Sequence, residues 1–278
     1  MDLVPARQAF QGATSVPDDQ IDLAEAALYI AQEEYPELSV ADYLRLLDQL
    51  ALEVQSRLPQ ERYPLRVIQV LNQYLYQHLR FKGNTTDYYD PCNSFLNDVM
   101  DRRTGIPITL ALVYMEIARR VDFPMVGIGM PGHFLIRPQV AEMELYVDAF
   151  HGGETLFVQD CQARLSELFG QPVSLETMPT LLAPISTRRF LARMLTNLKM
   201  IYLNRGQLQK AVAAIDRILW LLPQAPIEYR DRGLIAYQLH QWQDAVEDLE
   251  TYLASVPEAE DAIAIQRLLH QIKQEGEK

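Results

Sequence analysis

Gly105-Ile106-Pro107-Ile108-Thr109-Leu110-Ala111-Leu112-Val113-Tyr114-Met115-Glu116-Ile117-Ala118-Arg119-Arg120 leads through Val121-Asp122-Phe123-Pro124 into Met125-Val126-Gly127-Ile128-Gly129-Met130. Pro107 suits the first turn of a helix, where its missing N–H costs little. The helix that follows is apolar on nearly every side, the mark of a buried central helix. After Phe123-Pro124 the period drops to two, over Met125 to Met130, His133 to Arg137 and Glu144 to Asp148. These three segments predict short antiparallel strands, with Gly152-Gly153 closing the sheet. A helix over Cys161 to Phe169 and a proline-containing linker over Gln171 to Ile185 come next.

Upstream, three- and four-residue spacing predicts helices from Gln20 to Pro36, Val40 to Leu58 and Leu65 to Leu79. Lys82 to Pro91 reads as a turn-rich loop, and Asn93 to Asp101 as a short helix ended by Arg102-Arg103-Thr104-Gly105. Residues 1–18 show no periodicity and read as a loose leader. Downstream, Ala211 recurs as Ala245 and Pro223 as Pro257, each pair 34 residues apart.

Of the 278 residues 49% are hydrophobic, enough for a substantial core and for two compact units. The net charge of −12 is concentrated at the ends: residues 1–63 carry 4 basic and 12 acidic side chains, and 225–278 carry 5 and 11. That balance argues against nucleic acid and anionic lipid as partners. The longest uncharged apolar stretch, Gly105 to Met115, is far short of the ~20 residues that span a bilayer. No signal-peptide pattern is evident, so the expected location is cytoplasmic. Two cysteines, Cys92 and Cys161, exclude a disulfide framework or a zinc knuckle.

His133 opens one predicted strand and Asp148 ends the next, so a hairpin would bring imidazole and carboxylate together. An Asp that orients a His is two-thirds of a nucleophilic triad.

The 34-residue period resembles the tetratricopeptide repeat. Leu198, Tyr202, Gly206, Ala211, Ile218 and Pro223 mark the first copy, and Tyr229, Gly233, Ala245, Leu249 and Pro257 the second. Residues 260–274 supply a capping helix. The central helix with Arg119, Phe123-Pro124, His133-Phe134-Leu135-Ile136 and Asp148 resembles the transglutaminase-like core, a papain-like fold with a Cys-His-Asp triad. More narrowly, Asp87-Tyr88-Tyr89-Asp90-Pro91, Asn93-Ser94-Phe95-Leu96-Asn97, Arg102 to Pro107 and Pro131-Gly132-His133-Phe134-Leu135 resemble the bacterial SirB-type family, which joins such a core to tetratricopeptide repeats.

These readings predict an α+β, mostly helical protein: residues 1–18 a leader, 19–170 helices plus transglutaminase-like core, 171–186 a linker, and 187–278 two repeats with a cap. The resemblance places the family's nucleophilic Cys on Pro107, which has no nucleophile. His133 and Asp148 therefore read as a vestigial pair held by a structural hydrogen bond, with ligand binding or catalysis as the other readings. Asp87, Asp90, Asn93 and Asn97 read as turn and cap residues, with Thr104 and Thr109, that could also line a cleft. On the repeats, Arg193, Met200, Leu203, Arg230, Leu234 and Tyr237 are the partner-binding candidates. No cofactor or metal is expected. The function implied is protein or peptide binding, with basic surfaces as the partners the charge would select, in scaffolding or assembly; homo-oligomers stay open. The alternative is a hydrolase or amide-transfer enzyme using His133 and Asp148 with another nucleophile.

Overall fold

The structure is a computed structural model and describes residues 5–140 and 143–275. The chain divides into two compact units, residues 1–194 and 195–278.

In the first unit α1 (Pro5–Thr14) packs on α2 (Leu23–Gln32). This corrects the loose leader: Ala6, Phe10 and Thr14 recur every four residues and are buried, and Arg7 bonds Glu33 at 2.7 Å. Three anchors in a polar, Gly- and Gln-containing stretch leave a weak periodic signal, and neighbouring helices supply the rest. Asp22 caps α2 by accepting from the Glu25 N–H at 2.9 Å, and Ser39 caps α3 (Val40–Gln55) in the same way. Helix α4 (Pro64–Asn72) continues as a π-helical turn to His78. Two-residue strands β1 (Lys82–Gly83) and β2 (Thr104–Gly105) pair in parallel around α5 (Leu96–Arg102). Helix α6 (Pro107–Arg120) is the buried central helix; Leu110 to Tyr114 and Glu116 to Ala118 are all buried.

The sheet has four antiparallel strands in chain order: β3 (Met125–Ile128), β4 (Leu135–Pro138), β5 (Leu145–Asp148) and β6 (Glu154–Phe157). Gly152-Gly153 turns the chain into β6 instead of closing the sheet. Gly153 has φ +77°, and a Cβ there would lie 2.2 Å from Asn72 Oδ1, so this turn needs glycine. Helix α7 (Val158–Phe169) follows, and the segment expected to be a linker packs on the sheet instead. Val173 and Leu182 join Ile128, Cys161 and Leu165 in one apolar cluster, and Ile128 bridges to Pro184.

Helix α8 (Thr187–Asn204) contains the division at 194/195, later than the expected 186/187. The reason lies in its first turns: Phe190 packs edge-on against Phe134 with centroids 5.0 Å apart, and Asp18 accepts from the Thr187 and Arg188 N–H groups. The second unit continues with α9 (Leu208–Leu221), α10 (Pro226–Gln238), α11 (Trp242–Ser255) and α12 (Ala262–Glu275). Gly206 and His240 occupy equivalent turns and share the left-handed conformation, at φ +67° and +58°. Ala245, Leu249, Tyr252, Ile265, Leu269 and Ile272 form the core that α12 closes.

Candidate functional site

Asp148 ends β5 and is 2% exposed. Its Oδ1 accepts from the Phe150 and His151 N–H groups at 3.1 and 3.2 Å, which folds the chain into the β5–β6 turn. Its Oδ2 is bound by Arg164 Nη1 at 2.8 Å and lies 2.8 Å from His151 Nδ1. The other end of the Arg164 guanidinium reaches Glu154 Oε2 at 2.6 Å. His133 Nδ1 stands 4.0 Å from Asp148 Oδ2, beyond hydrogen-bond reach.

The expected His133–Asp148 hydrogen bond is thus replaced by a cluster that holds the carboxylate elsewhere. His133 lies in the turn before β4, where its N–H bonds the Met130 carbonyl at 3.1 Å, rather than in the strand. Burial holds its pKa below the ordinary 6.5; Asp148 opposes that shift, and the charges of Arg164 and His151 reinforce it. An unfolded His133 therefore binds its proton at higher pH than the folded one. Stability is expected to fall as pH drops through the ordinary histidine range. His133→Gln should flatten that acid-side slope in urea titrations taken between about pH 5 and 7; an unchanged slope refutes the assignment.

Pro107, onto which the resemblance places the nucleophilic Cys, opens α6 between Ile106 and Ile108, which are 2% and 3% exposed. Thr109 is fully buried; its hydroxyl donates to the Asn93 carbonyl at 2.7 Å and lies 3.2 Å from the Ile106 N–H. The Thr104 hydroxyl donates to the Arg102 carbonyl at 3.2 Å. Cys92 lies 3.9 Å from the Tyr35 hydroxyl, and burial together with Asp98 and Asp90 raises its thiol pKa. Cys161 is buried in the sheet cluster and pushed up to about 11. Both thiols are free, and both environments disfavour a thiolate.

The loop read as turn and cap residues, with a cleft lining as the other reading, is built on itself. Asn84 Oδ1 accepts from the Asp87 N–H and Asn84 Nδ2 donates to Asn93 Oδ1, while Asn93 Nδ2 donates to the Asp87 carbonyl at 2.7 Å. Asp90 accepts from the Cys92 N–H and pairs with Arg102 at 2.8 Å; these contacts hold its carboxyl below the ordinary range against the effect of burial. Asn97 is buried, and its Oδ1 has no hydrogen-bond partner among the described residues. Tyr88 stacks edge-on with Phe150 at 6.4 Å, which brings this loop beside the Asp148 cluster.

Sequence reasoning missed Tyr88, Phe150, His151 and Arg164. An Asp followed three residues later by His was a usable signal for His151. Asp148, His151 and Glu154 could together hold a metal ion, but Arg164 already places positive charge between the two carboxylates.

The repeat candidates do not form one open face. Arg193 belongs to the first unit, with its guanidinium 5.2 Å above the Phe134 ring, and burial lowers its pKa. Arg230 pairs with Asp231 and Asp261 at 2.9 Å each. Leu234 and Tyr237 pack on the core closed by α12, and Gln271 donates to the Tyr237 hydroxyl at 3.3 Å. Leu203 is half-buried and Met200 is exposed.

Residues 41–196 match the model of the transglutaminase-like superfamily. The chain belongs to that superfamily. Residues 198–270 of this transglutaminase-like chain match a tetratricopeptide-repeat model. Among its relatives is a UPF0162 protein of Xylella fastidiosa, 38% identical over 245 residues that cover 87% of each chain. A UPF0162 protein of Vibrio cholerae is 29% identical over 86% of this chain and 88% of its own. The human F-box only protein 21 is 31% identical over 212 residues, 66% of this chain but 32% of that protein. No solved structure matches the chain. Helices α1 and α2 precede the superfamily match, so the transglutaminase-like core carries additional N-terminal helices. Among the described residues no helix is long and apolar enough to cross a membrane.

Proposed function

We propose that this transglutaminase-like protein works by binding other proteins and does not transfer acyl groups. One observation carries the reading: Arg164 and His151 hold the Asp148 carboxylate; the resemblance adds that the nucleophile's position falls on Pro107, between the buried Ile106 and Ile108. A general base without an orienting carboxylate or an adjacent nucleophile has lost the triad's chemistry. The repeats supply the binding role, because such modules recognise partners through helix faces. Met200, Ile227 and Ile263 expose apolar side chains on α8, α10 and α12, at 47%, 46% and 65%. The reading includes a SirB-type membership carried by the motifs, a cytoplasmic location, a protein partner rather than nucleic acid, and no cofactor. The enzyme alternative draws on a neutral His133, which could still accept a proton.

The test pairs two measurements on the full chain. Purified protein incubated with a glutamine-donor peptide and a fluorescent amine is expected to incorporate no more amine than His133→Ala. In the native host, His133→Ala is expected to complement a deletion strain, whereas Met200→Glu combined with Ile227→Glu is not. Amine incorporation abolished by His133→Ala would overturn the proposal. So would complementation by the helix-face variant and not by His133→Ala.

A further inference from the structure

Two arginines on the first turns of α8 hold charge that the chain does not answer. Arg189 and Arg193 are both exposed and four residues apart, so they share one face of the helix. Among the described residues neither guanidinium meets a carboxylate or a carbonyl; Arg193 lies 5.2 Å above the Phe134 ring instead. Like charges at this spacing repel each other. Burial lowers the pKa of Arg193, and the same effect acts on Arg119, Arg164 and Arg230, but there paired carboxylates reverse the sign. Arg193 is thus partly stripped of water without receiving an anion in return.

The neighbouring loop adds exposed aromatic surface. Tyr88 and Tyr89 are 42% and 64% exposed and pack edge-on with centroids 5.3 Å apart. Burial and Tyr89 raise the Tyr88 phenol pKa while Arg193 opposes them, so the guanidinium stands within electrostatic reach of this ring. Tyr88 bonds Asn93 through its carbonyl, and no described residue accepts from its hydroxyl. Tyrosine and arginine are the side chains on which binding energy concentrates at protein interfaces. The charge balance also differs here from that of the acid-rich ends: residues 64–224 carry 16 basic and 14 acidic side chains. Beyond Phe150, Asp148 is 2% exposed and both it and Glu154 are bound by Arg164, which leaves Asp87 as the exposed carboxylate beside Tyr88 in the chain.

We infer that Arg189, Arg193, Tyr88 and Tyr89 form a surface that binds an acidic segment of a partner protein, one in which carboxylates alternate with apolar side chains. The two guanidiniums take the carboxylates, the Tyr88 hydroxyl donates a further hydrogen bond, and the tyrosine rings cover the apolar side chains. This partner is opposite in charge to the one the acid-rich ends would select. The surface lies wholly in the first unit and does not rest on the exposed helix residues proposed above for the repeats.

The probe is an end-capped, seven-residue peptide of alternating glutamate and leucine, titrated into the full chain and followed by NMR. Saturable shifts are expected at the Arg193 Nε–H and at the Tyr88 and Tyr89 rings, with affinity falling as salt is added. Arg193→Glu should weaken binding by roughly tenfold or more, the equivalent of one charge-assisted hydrogen bond. Arg189→Glu, which does not disturb the Phe134 ring, and Tyr88→Ala should each weaken it severalfold, whereas Asp87→Asn should leave it as strong or stronger. The variant carrying Met200→Glu and Ile227→Glu should bind like wild type, which separates failure of this surface from failure of the repeat surface. Lack of saturation at millimolar peptide overturns the inference. So does equal binding of a peptide with lysine in place of glutamate, or binding that neither arginine variant weakens.

Discussion

Lys199→Met is expected to destabilise the repeat unit by about 3–5 kcal/mol, the range for breaking one partner out of a buried ion pair. The Lys199 side chain is 3% exposed, and its Nζ lies 2.8 Å from both oxygens of Glu228 and 2.9 Å from Asp231. Methionine fills much the same volume, so the loss is electrostatic and not a cavity effect. It leaves Glu228, 7% exposed, with its charge out of water and without its cation. Asp231 keeps Arg230, which in turn holds Asp261, so the damage should centre on Glu228. Adding Glu228→Leu to Lys199→Met should restore most of the loss, since removing a buried pair together is often close to neutral. The readout is the thermal transition of the repeat helices by circular dichroism. A single-variant loss below about 1 kcal/mol would place the pair among ordinary surface bridges.

That pair also shows where the sequence was legible. The 34-residue period, its Ala and Pro anchors and the capping helix follow from small residues at helix crossings, and the structure has them. Gly233 illustrates the rule: a Cβ there would lie 2.8 Å from Leu249 Cγ, so the crossing of α10 and α11 requires glycine. The equivalent position one repeat earlier is Lys199. Its acidic partners come from the following helix, a pairing across 29 and 32 residues that periodicity does not encode. The central helix and three of the strands were legible because burial on all sides and a period of two are local patterns. Strand β6 was not, since Glu154-Thr155-Leu156-Phe157 follows two glycines that read as an ending, and only Asn72 shows why they are needed. Helix α1 was missed because three buried residues mean little until α2 is there to receive them.

The candidate site divides the same way. His133 and Asp148 could be selected from strand ends and resemblance, but not the competition for the carboxylate. Arg164 lies on the helix after the sheet, sixteen residues beyond Asp148, and a sequence offers no rule for which of several cations an acid will bind. The four-ångström gap at His133 is therefore a tertiary result: the short turn to His151 and the first turns of α7 bring better-placed donors to the same oxygen. Likewise Tyr237 reads as a groove residue from its place in the repeat, and only α12 turns it inward.

Asp148→Ala is accordingly expected to cost about 3 kcal/mol of stability, and His133→Ala less than about 1. Asp148 accepts two main-chain hydrogen bonds that form the β5–β6 turn and binds the Arg164 guanidinium, whose side chain is 22% exposed. The alanine variant leaves two N–H groups and part of one guanidinium without their acceptor, and groups left wanting are the expensive part of a lost hydrogen bond. Asp148→Asn keeps an acceptor for the turn but removes the charge that Arg164 binds, so its loss should fall between the two. A double-mutant cycle separates the contacts. Asp148 with Arg164→Met should show a coupling of about 1 kcal/mol or more, whereas Asp148 with His133→Ala should show less than about 0.5, as for residues that do not share a contact. The triad account requires the opposite pattern: strong Asp148–His133 coupling in any measured activity, and little stability lost when either residue is replaced. A coupling to His133 that exceeds the coupling to Arg164 would mean the carboxylate still serves the imidazole, and the locked-carboxylate argument would fail with it.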